Sequence, residues 1–265
     1  MKNFAVAYNK KIVNSFEVMS EIKSALSQKK CSVASLDIDN LKSGYDFVFV
    51  VGGDGTILKA ARYYAKTSTP IFGINLGRLG FLSQSSKDSI NLVIEDILLD
   101  KYRIEERTML ESDSRVALND FVIKGTTTGR TSRFSLKING EFVFDYLADG
   151  IIVTTPTGST AYGLSAGGPV ISPKVNAFVI VPICPHTLTS RPVVIPDNEE
   201  ITICAGDEDA SYFASTDGQE FYKFKKEISI KKSSYSAKLA LLENNEFYSV
   251  LRNKLHWGVS PACIK

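Results

Sequence analysis

The sequence predicts a two-part fold, an α/β N-terminal half built on a parallel sheet and an all-β C-terminal half. Three observations predict it. Strand-like and helix-like patterns alternate over the first hundred residues, and after Lys101 they give way to short β-branched and aromatic runs. Within those runs, Asn139-Gly140 lies between Phe134–Ile138 and Phe142–Tyr146, a strong hairpin signal.

Phe4–Tyr8 is a short apolar run that reads as a buried first strand. From Val13 to Leu26, apolar Val13, Phe16, Met19, Ile22 and Leu26 recur at three- and four-residue steps, which predicts an amphipathic helix. Ser32–Leu36 fits a second strand, and Phe47–Val51 is an unbroken apolar run typical of a strand covered on both faces. Gly52 and Gly53 end that strand, and a helix follows over Thr56–Lys66. Pro70–Ile74 gives another strand, then a glycine-spaced loop, then a helix over Ser86–Leu99. Beyond the hairpin, strands fit Ile151–Thr155, Ala177–Val181, Glu200–Cys204, Glu227–Lys231 and Ala237–Leu242. A final helix over Phe247–Leu255 suits the α/β half. The expected division is therefore 1–100 with 247–265, and 101–246.

Composition narrows the function. Of 265 residues, 44% are apolar and 23% charged, so a real core can form. The formal charge of +2 is spread along the chain, with no basic stripe for nucleic acid. No apolar run approaches the roughly 18–20 residues of a membrane span, and the first residues read as a strand, not as a signal peptide. The four cysteines (Cys31, Cys184, Cys204, Cys263) are far apart. They suit a reducing cytoplasm better than a disulfide framework or zinc site. His186 and His256 fit no metal or triad arrangement, and no protein metal ligand is assigned.

Chemistry concentrates in two places. Gly52-Gly53-Asp54-Gly55-Thr56 sits where a covered strand becomes a helix, and a helix start offers unpaired N–H groups and a positive dipole end to an anion. A carboxylate inside a phosphate cradle is the odd member. Asp54 either removes a hydroxyl proton, holds a magnesium ion, or merely caps its helix. Neither GxxxxGK[ST] nor a Rossmann GxGxxG is present. The second place follows the strand at Ile151–Thr155. Pro156 and Gly158 turn the chain into a run holding Thr157, Ser159, Thr160, Tyr162 and Ser165. Hydroxyls and amides among glycines suit ribose, amide and phosphate groups, and Tyr162 offers a ring on which a base can stack. The same run also reads as a loop that caps its own backbone.

These residues resemble a family. GGDGT is similar to the signature shared by NAD kinases, diacylglycerol and sphingosine kinases, and phosphofructokinases. The run Asp149-Gly150-Ile151-Ile152-Val153-Thr154-Thr155-Pro156-Thr157-Gly158-Ser159-Thr160-Ala161-Tyr162, continuing to Pro169, resembles the glycine-rich core of NAD kinases almost letter for letter. Gly77-Arg78-Leu79-Gly80-Phe81-Leu82, Asn119-Asp120 and Asp217-Gly218-Gln219 match further family positions in order, over about residues 46–220.

The resemblance implies the two-domain NAD kinase architecture, and transfer of a phosphate from ATP to the 2′-hydroxyl of NAD's adenosine ribose. It also implies Mg²⁺ or another divalent cation, and a homo-oligomer (dimer or tetramer). Asp54 is then the catalytic base, and Gly52, Gly53, Gly55 and Thr56, with Lys59 and Arg78, hold the ATP phosphates. Asn119 and Asp120 bind NAD, the acid taking ribose hydroxyls, and Asp149 meets the nicotinamide side. Thr160, Ala161, Tyr162, Gly163, Leu164 and Ser165 meet the adenine end or a neighbouring subunit's ligand. Asp54, Gly55, Thr157 and Gln219 complete the NAD set, and Arg130 is the nearest candidate for a basic residue after the Asn-acid pair. Leu147 stands where some members carry a basic residue. Arg107 and Arg191 read as structural ion-pair partners. The rival readings are a lipid kinase, which would need an acyl-chain pocket, and a non-catalytic dinucleotide sensor.

Overall fold

The computed structural model describes residues 2–77, 80–86, 89–126, 131–187, 189–206, 212–242 and 247–255. Arg78, Arg130 and His256 lie outside them. The chain divides into two compact units, residues 1–106 with 237–265, and residues 107–236.

In the first unit, β1 (Asn3–Tyr8), β2 (Ser32–Asp37), β3 (Phe47–Val51) and β4 (Ile71–Asn75) form a parallel sheet in the order β2–β1–β3–β4. All five side chains of β3 are buried, as an unbroken apolar run requires of a central parallel strand. Phe4, Phe47, Phe49 and Phe72 pack edge-on or tilted, with ring centroids 5.2–6.1 Å apart. The connecting helices are α1 (Ser15–Gln28), α2 (Asp54–Ala65) and α3 (Ile90–Leu98).

Three element starts differ from the sequence expectation. Helix α1 begins after Asn14, whose φ of 66° breaks the helical path, so Val13 stays outside it and is 81% exposed. Phe16 is also on the outer side, resting edge-on against Tyr8, and Val18, Met19, Ile22 and Leu26 form the buried stripe. Helix α2 starts two residues early, which places Asp54 in its first turn with Gly53 as N-cap. Helix α3 starts late because Ser85–Ser86 form a short strand, β5, that pairs with Ile74 and Asn75.

The second unit holds two antiparallel sheets. Its strands are β6 (Arg103–Ser112, entering from the first unit), β7 (Arg115–Ala117), β8 (Asp120–Gly125), β9 (Ser132–Ile138), β10 (Glu141–Ala148) and β11 (Gly150–Thr154). After a 3₁₀ turn at Gly158–Thr160 and the short helix α4 (Tyr162–Ser165) come β12 (Ala177–Ile183), β13 (Val193–Pro196), β14 (Ile201–Ala205), β15 (Tyr212–Thr216), β16 (Glu220–Phe224) and β17 (Glu227–Leu241). The Thr/Ser/Tyr run is thus folded into turns of helix and is not an open loop. One sheet runs β13–β12–β11–β8–β15–β16, and β10–β9–β14–β17 form the other.

Phe121, Ile123, Phe134, Leu136, Ile151, Val153, Phe178 and Tyr212 belong to one buried cluster of this unit. The alternate residues of the first sheet, Val122, Ile152, Val179 and Val181, face the other way and pack on Ala166 and Ile171. Period-two alternation therefore leaves Asp120, Val122 and Lys124 on one face of β8.

The hairpin at Asn139-Gly140 joins β9 to β10, with φ of 52° and 84° at its two central residues. The two strands expected at 227–231 and 237–242 are one, β17: Glu227–Ile230 pair with β14, and from Ala237 the strand belongs to the first unit, where Leu239 pairs in parallel with Ile71. The final helix, α5 (Phe247–Leu255), belongs to the first unit and buries Leu251.

The observed face of α1 is testable. Ile22→Ala should cost about 2–5 kcal/mol in urea unfolding, while Val13→Ala should stay within about 0.5 kcal/mol. The reverse ranking would show that the helix buries its other side.

Candidate active site

In the first unit the site begins at the end of β3. Asp54 lies in the first turn of α2 and its carboxylate is held from outside that helix. Oδ2 accepts the Phe81 N–H at 3.0 Å and Oδ1 the Leu82 N–H at 3.3 Å. Gly80 makes this approach possible, because a Cβ there would collide with the Asp54 carboxylate. The Gly80 N–H is taken by Ser83 Oγ at 2.6 Å, and Ser83 is itself buried. A single carboxylate thus organises the segment that follows Arg78. At the glycine turn, the Gly52 N–H donates to Ile74 O at 3.0 Å and the Thr56 N–H to Gly53 O at 2.9 Å. Gly55 is exposed and Thr56 buried. Lys59, one turn further along α2, pairs with Asp39 at 2.6 Å.

In the second unit, three separate segments meet around Asn119. The turn between β15 and β16 is formed by Asp217 and Gly218, at φ of 50° and 63°. From that turn the Asp217 carboxylate accepts the N–H groups of Leu118 (3.1 Å), Asn119 (2.7 Å) and Asp120 (3.2 Å). The Asp217 N–H returns a bond to Asp120 O at 2.9 Å. On the other side, Asn119 O accepts from the Thr155 N–H at 2.9 Å and from Thr154 Oγ1 at 3.0 Å. Thr155 Oγ1 donates to Leu118 O at 2.6 Å and accepts the Gly158 N–H at 3.1 Å. A side chain at Gly158 would strike Asn119 O, so this contact requires glycine.

A cleft of about 750 Å³ opens on this face of the sheet. Asn119, Asp120, Lys124, Thr126, Ser215 and Asp217 supply its polar lining, and Tyr162, Phe213 and Phe221 its aromatic walls. Asp120 is 4% exposed, and no hydrogen bond to its carboxyl is found among the described residues. Burial, and secondarily the negative charge of Asp217, push its pKa up to about 7. A buried carboxyl without a donor, at the edge of a cleft, is suited to receive hydroxyl or amide donors from a ligand.

Of the residues the sequence nominates, Asn119, Asp120, Ala161 and Tyr162 line this cleft together. Thr157 is buried and outside the lining, and its Oγ1 accepts from Arg107 at 3.2 Å. Thr160 Oγ1 donates back to Thr157 O, and Gly163 packs against Thr154. Leu164 is partly buried and Ser165 exposed; neither lines the cleft. Asp149 and Gln219 are exposed residues of the turns at 149 and 217–219, also outside the lining. Ser159, read as part of a binding run, is a buried clasp bonded to Pro156 and Ile171.

Lys124, Phe213, Ser215 and Phe221 also line the cleft although no motif marks them, and of the 217–219 turn it is Asp217, not Gln219, that lines it. Alternation along β8 from Asp120 was the one local signal that could have found Lys124. Among the described residues no cluster of three or more His, Cys, Asp or Glu side chains could hold a metal ion by itself.

The raised pKa of Asp120 fixes a sign. An unfolded aspartate titrates near about 3.9, so the native state keeps a proton that the unfolded chain releases between about pH 4 and 7. Stability therefore falls as pH rises through that window, by roughly 4 kcal/mol at most. Asp120→Asn removes the ionisation. It should melt higher than the parent at pH 8 and like the parent at pH 4, whereas a difference independent of pH would contradict the assignment.

Comparison with known proteins agrees with these elements. The family model for the ATP-NAD kinase N-terminal domain matches residues 3–102, and that for the ATP-NAD kinase C-terminal domain matches residues 118–242. The NAD kinase of Carboxydothermus hydrogenoformans is 43% identical over 238 residues, covering 85% of this chain and 85% of its own. That of Aquifex aeolicus is 40% identical over 225 residues, covering 81% and 82%. Among solved structures, an NAD kinase from Archaeoglobus fulgidus in complex with ATP superposes with a TM-score of 0.81 at 30% identity, covering 96% of this chain and 98% of that one. Yeast NADH kinase complexed with NADH gives a TM-score of 0.87 at 26% identity, covering 100% and 90%. A glycine-flanked acid at the end of β3 and a second-unit sheet carrying the Asn119–Asp120 cleft, matched along both domains by these models and relatives, place this chain in the NAD kinase family.

Proposed function

We propose that this chain transfers the γ-phosphate of ATP to the 2′-hydroxyl of the adenosine ribose of NAD, giving NADP and ADP. The observation that carries the reading is the Asp54 carboxylate, fixed by two backbone amides where β3 becomes α2. Each carboxylate oxygen has two lone-pair sites, and each has given one to an amide. The remaining sites can accept the 2′-hydroxyl proton as the oxygen attacks the γ-phosphorus. A base so fixed loses little orientational freedom on binding.

Magnitudes set its share. Positioning of the reactants can contribute about 7–11 kcal/mol in favourable systems, and electrostatic clamping of the phosphoryl oxygens is the other large contribution. A general base adds about 10²–10⁴-fold. Asp54 is thus needed for rate without supplying most of it. With the Gly52 and Thr56 amides engaged by backbone carbonyls, the phosphate cradle narrows to the amides of Gly53 and Asp54. Lys59 would have to leave Asp39 to reach a phosphate.

Mg²⁺ or another divalent cation fits the donor set when it arrives with ATP. Such an ion needs only one or two carboxylates beside the substrate phosphates and water. Bound there, it would neutralise charge on the phosphates, and Asp54 is the carboxylate of this turn available to it.

In the second unit, Asp120 accepts ribose hydroxyls and Asn119 contributes its side-chain amide, with Tyr162 as a surface for a ring. Asp149, Gln219 and the Thr160–Ser165 run remain assigned to NAD on the family resemblance. The same resemblance supports a homo-oligomer, a dimer or tetramer, which sedimentation velocity reads directly. Free thiols at Cys31, Cys184 and Cys204 support a reducing, cytoplasmic setting. Among the described residues no helix is long and apolar enough to cross a membrane.

NADP formation from NAD and Mg-ATP, with diacylglycerol offered in parallel, tests the reaction. NADP is the expected product, and phosphorylated lipid or no product would overturn the reading. Asp54→Asn should retain NAD affinity and lower kcat by about 10²–10⁴-fold. An unimpaired kcat would remove Asp54 from proton transfer.

A further inference from the structure

The second-unit cleft is acidic at one end, where Asp120 and Asp217 lie, yet NAD is a dianion through its pyrophosphate. Something must offset that repulsion. Among the described residues lining the cleft, Lys124 is the one cation. Its placement is built rather than incidental. Lys124 stands opposite Gly150 in the β8–β11 register and opposite Phe213 in the β8–β15 register. Its Cγ lies 2.8 Å from where a Cβ at Gly150 would be, so the lysine stem occupies the space that a side chain at 150 would fill. Its ammonium donates to Tyr162 Oη at 3.2 Å and lies 5.4 Å from the Tyr162 ring centroid. No carboxylate pairs with it among the described residues. Asp120 and Lys124 share one face of β8, four residues apart, so roughly 13 Å of strand separates them. The cleft therefore has an end that accepts hydroxyl donors and an end that attracts an anion, flanked by the rings of Tyr162 and Phe213.

We propose that Lys124, steered by Tyr162, binds the pyrophosphate of the dinucleotide and is the residue by which this cleft distinguishes a nucleotide from a nucleoside. This rests on the NAD kinase reading above. A pyrophosphate offers acceptors only, so it is excluded from the Asp120 end and matched at the Lys124 end. An ammonium already free of carboxylates loses no ion pair on binding it. Charge-assisted hydrogen bonds of this type are the stronger ones.

The test is titration of NAD, NADP and adenosine into the full chain without ATP, for the parent, Lys124→Gln, Lys124→Arg and Tyr162→Phe. Lys124→Gln should weaken NAD and NADP alike, by on the order of tenfold or more, and leave adenosine unchanged. Lys124→Arg should recover most of the loss, and Tyr162→Phe should give a smaller one. Added salt should weaken NAD binding to the parent more than to Lys124→Gln.

Parent-like NAD affinity in Lys124→Gln would overturn the proposal. So would a loss confined to NADP, which would assign the cation to the 2′-phosphate, or an equal loss for adenosine. NADP formation by the parent, measured alongside, separates the two readings. If the parent forms NADP while Lys124→Gln binds NAD normally, only this proposal falls; if the parent forms none, the kinase reading falls first.

Discussion

The second unit depends on one carboxylate. Asp217 takes three consecutive backbone N–H groups, those of Leu118, Asn119 and Asp120, and its own N–H bonds back to Asp120 O. Hydrogen bonds to a charged acceptor contribute about 1.5–3 kcal/mol each where a neutral one gives about 1. Without Asp217, three donors at the head of β8 would be left to find water. With it, the chain is fixed at the point where Asn119 and Asp120 turn their side chains towards the cleft. The arrangement has an electrostatic cost, because a second carboxylate close to Asp120 helps to hold that group near neutrality. The fold tolerates this at a place where a ligand's hydroxyls can compensate.

The first unit uses the same device for a different purpose. Asp54 receives the amides of Phe81 and Leu82, and the backbone of Gly80 is brought so near the carboxylate that no side chain fits there. In each unit an acid beside glycine, at the end of a strand, captures backbone from a remote segment. Both shape their surroundings by taking amides, but Asp217 Oδ1 is filled by two of them, whereas each oxygen of Asp54 takes only one. An Asp→Asn change at either place therefore alters local structure as well as charge, which is why affinity and turnover must be read separately.

Much of the scaffold is legible in the sequence because local physics determines it. Phe47–Val51 has one reading, a covered strand; Asn139-Gly140 between alternating runs has one reading, a hairpin; and Phe247–Leu255 is a helix as its pattern says. The misses have physical causes. Periodicity counts Val13 and Phe16 in the apolar stripe of α1, although Asn14 starts the helix after one of them and the other faces outward. In β17 the polar stretch Lys232–Ser236 looks like a break, but it is a strand with Ser233 buried and its neighbours exposed. The site is less legible. Asp217 meets its partners across 97 to 99 residues of sequence, and Asp54 meets Phe81 and Leu82 across 27 and 28. No window of sequence holds both ends, so Asp217-Gly218 alone reads as a turn and Lys124 as one more surface lysine.

The organising role of Asp217 is tested most directly by pairing amide hydrogen exchange with NAD titration in Asp217→Asn. The isosteric amide can still accept at one atom but turns a donor towards backbone N–H groups and carries no charge. Exchange at Leu118, Asn119 and Asp120 should accelerate and NAD binding weaken by about tenfold or more, with ATP binding unchanged. Parental NAD affinity together with accelerated exchange would contradict this, because the cleft would then keep its shape without the Asp217 anchor.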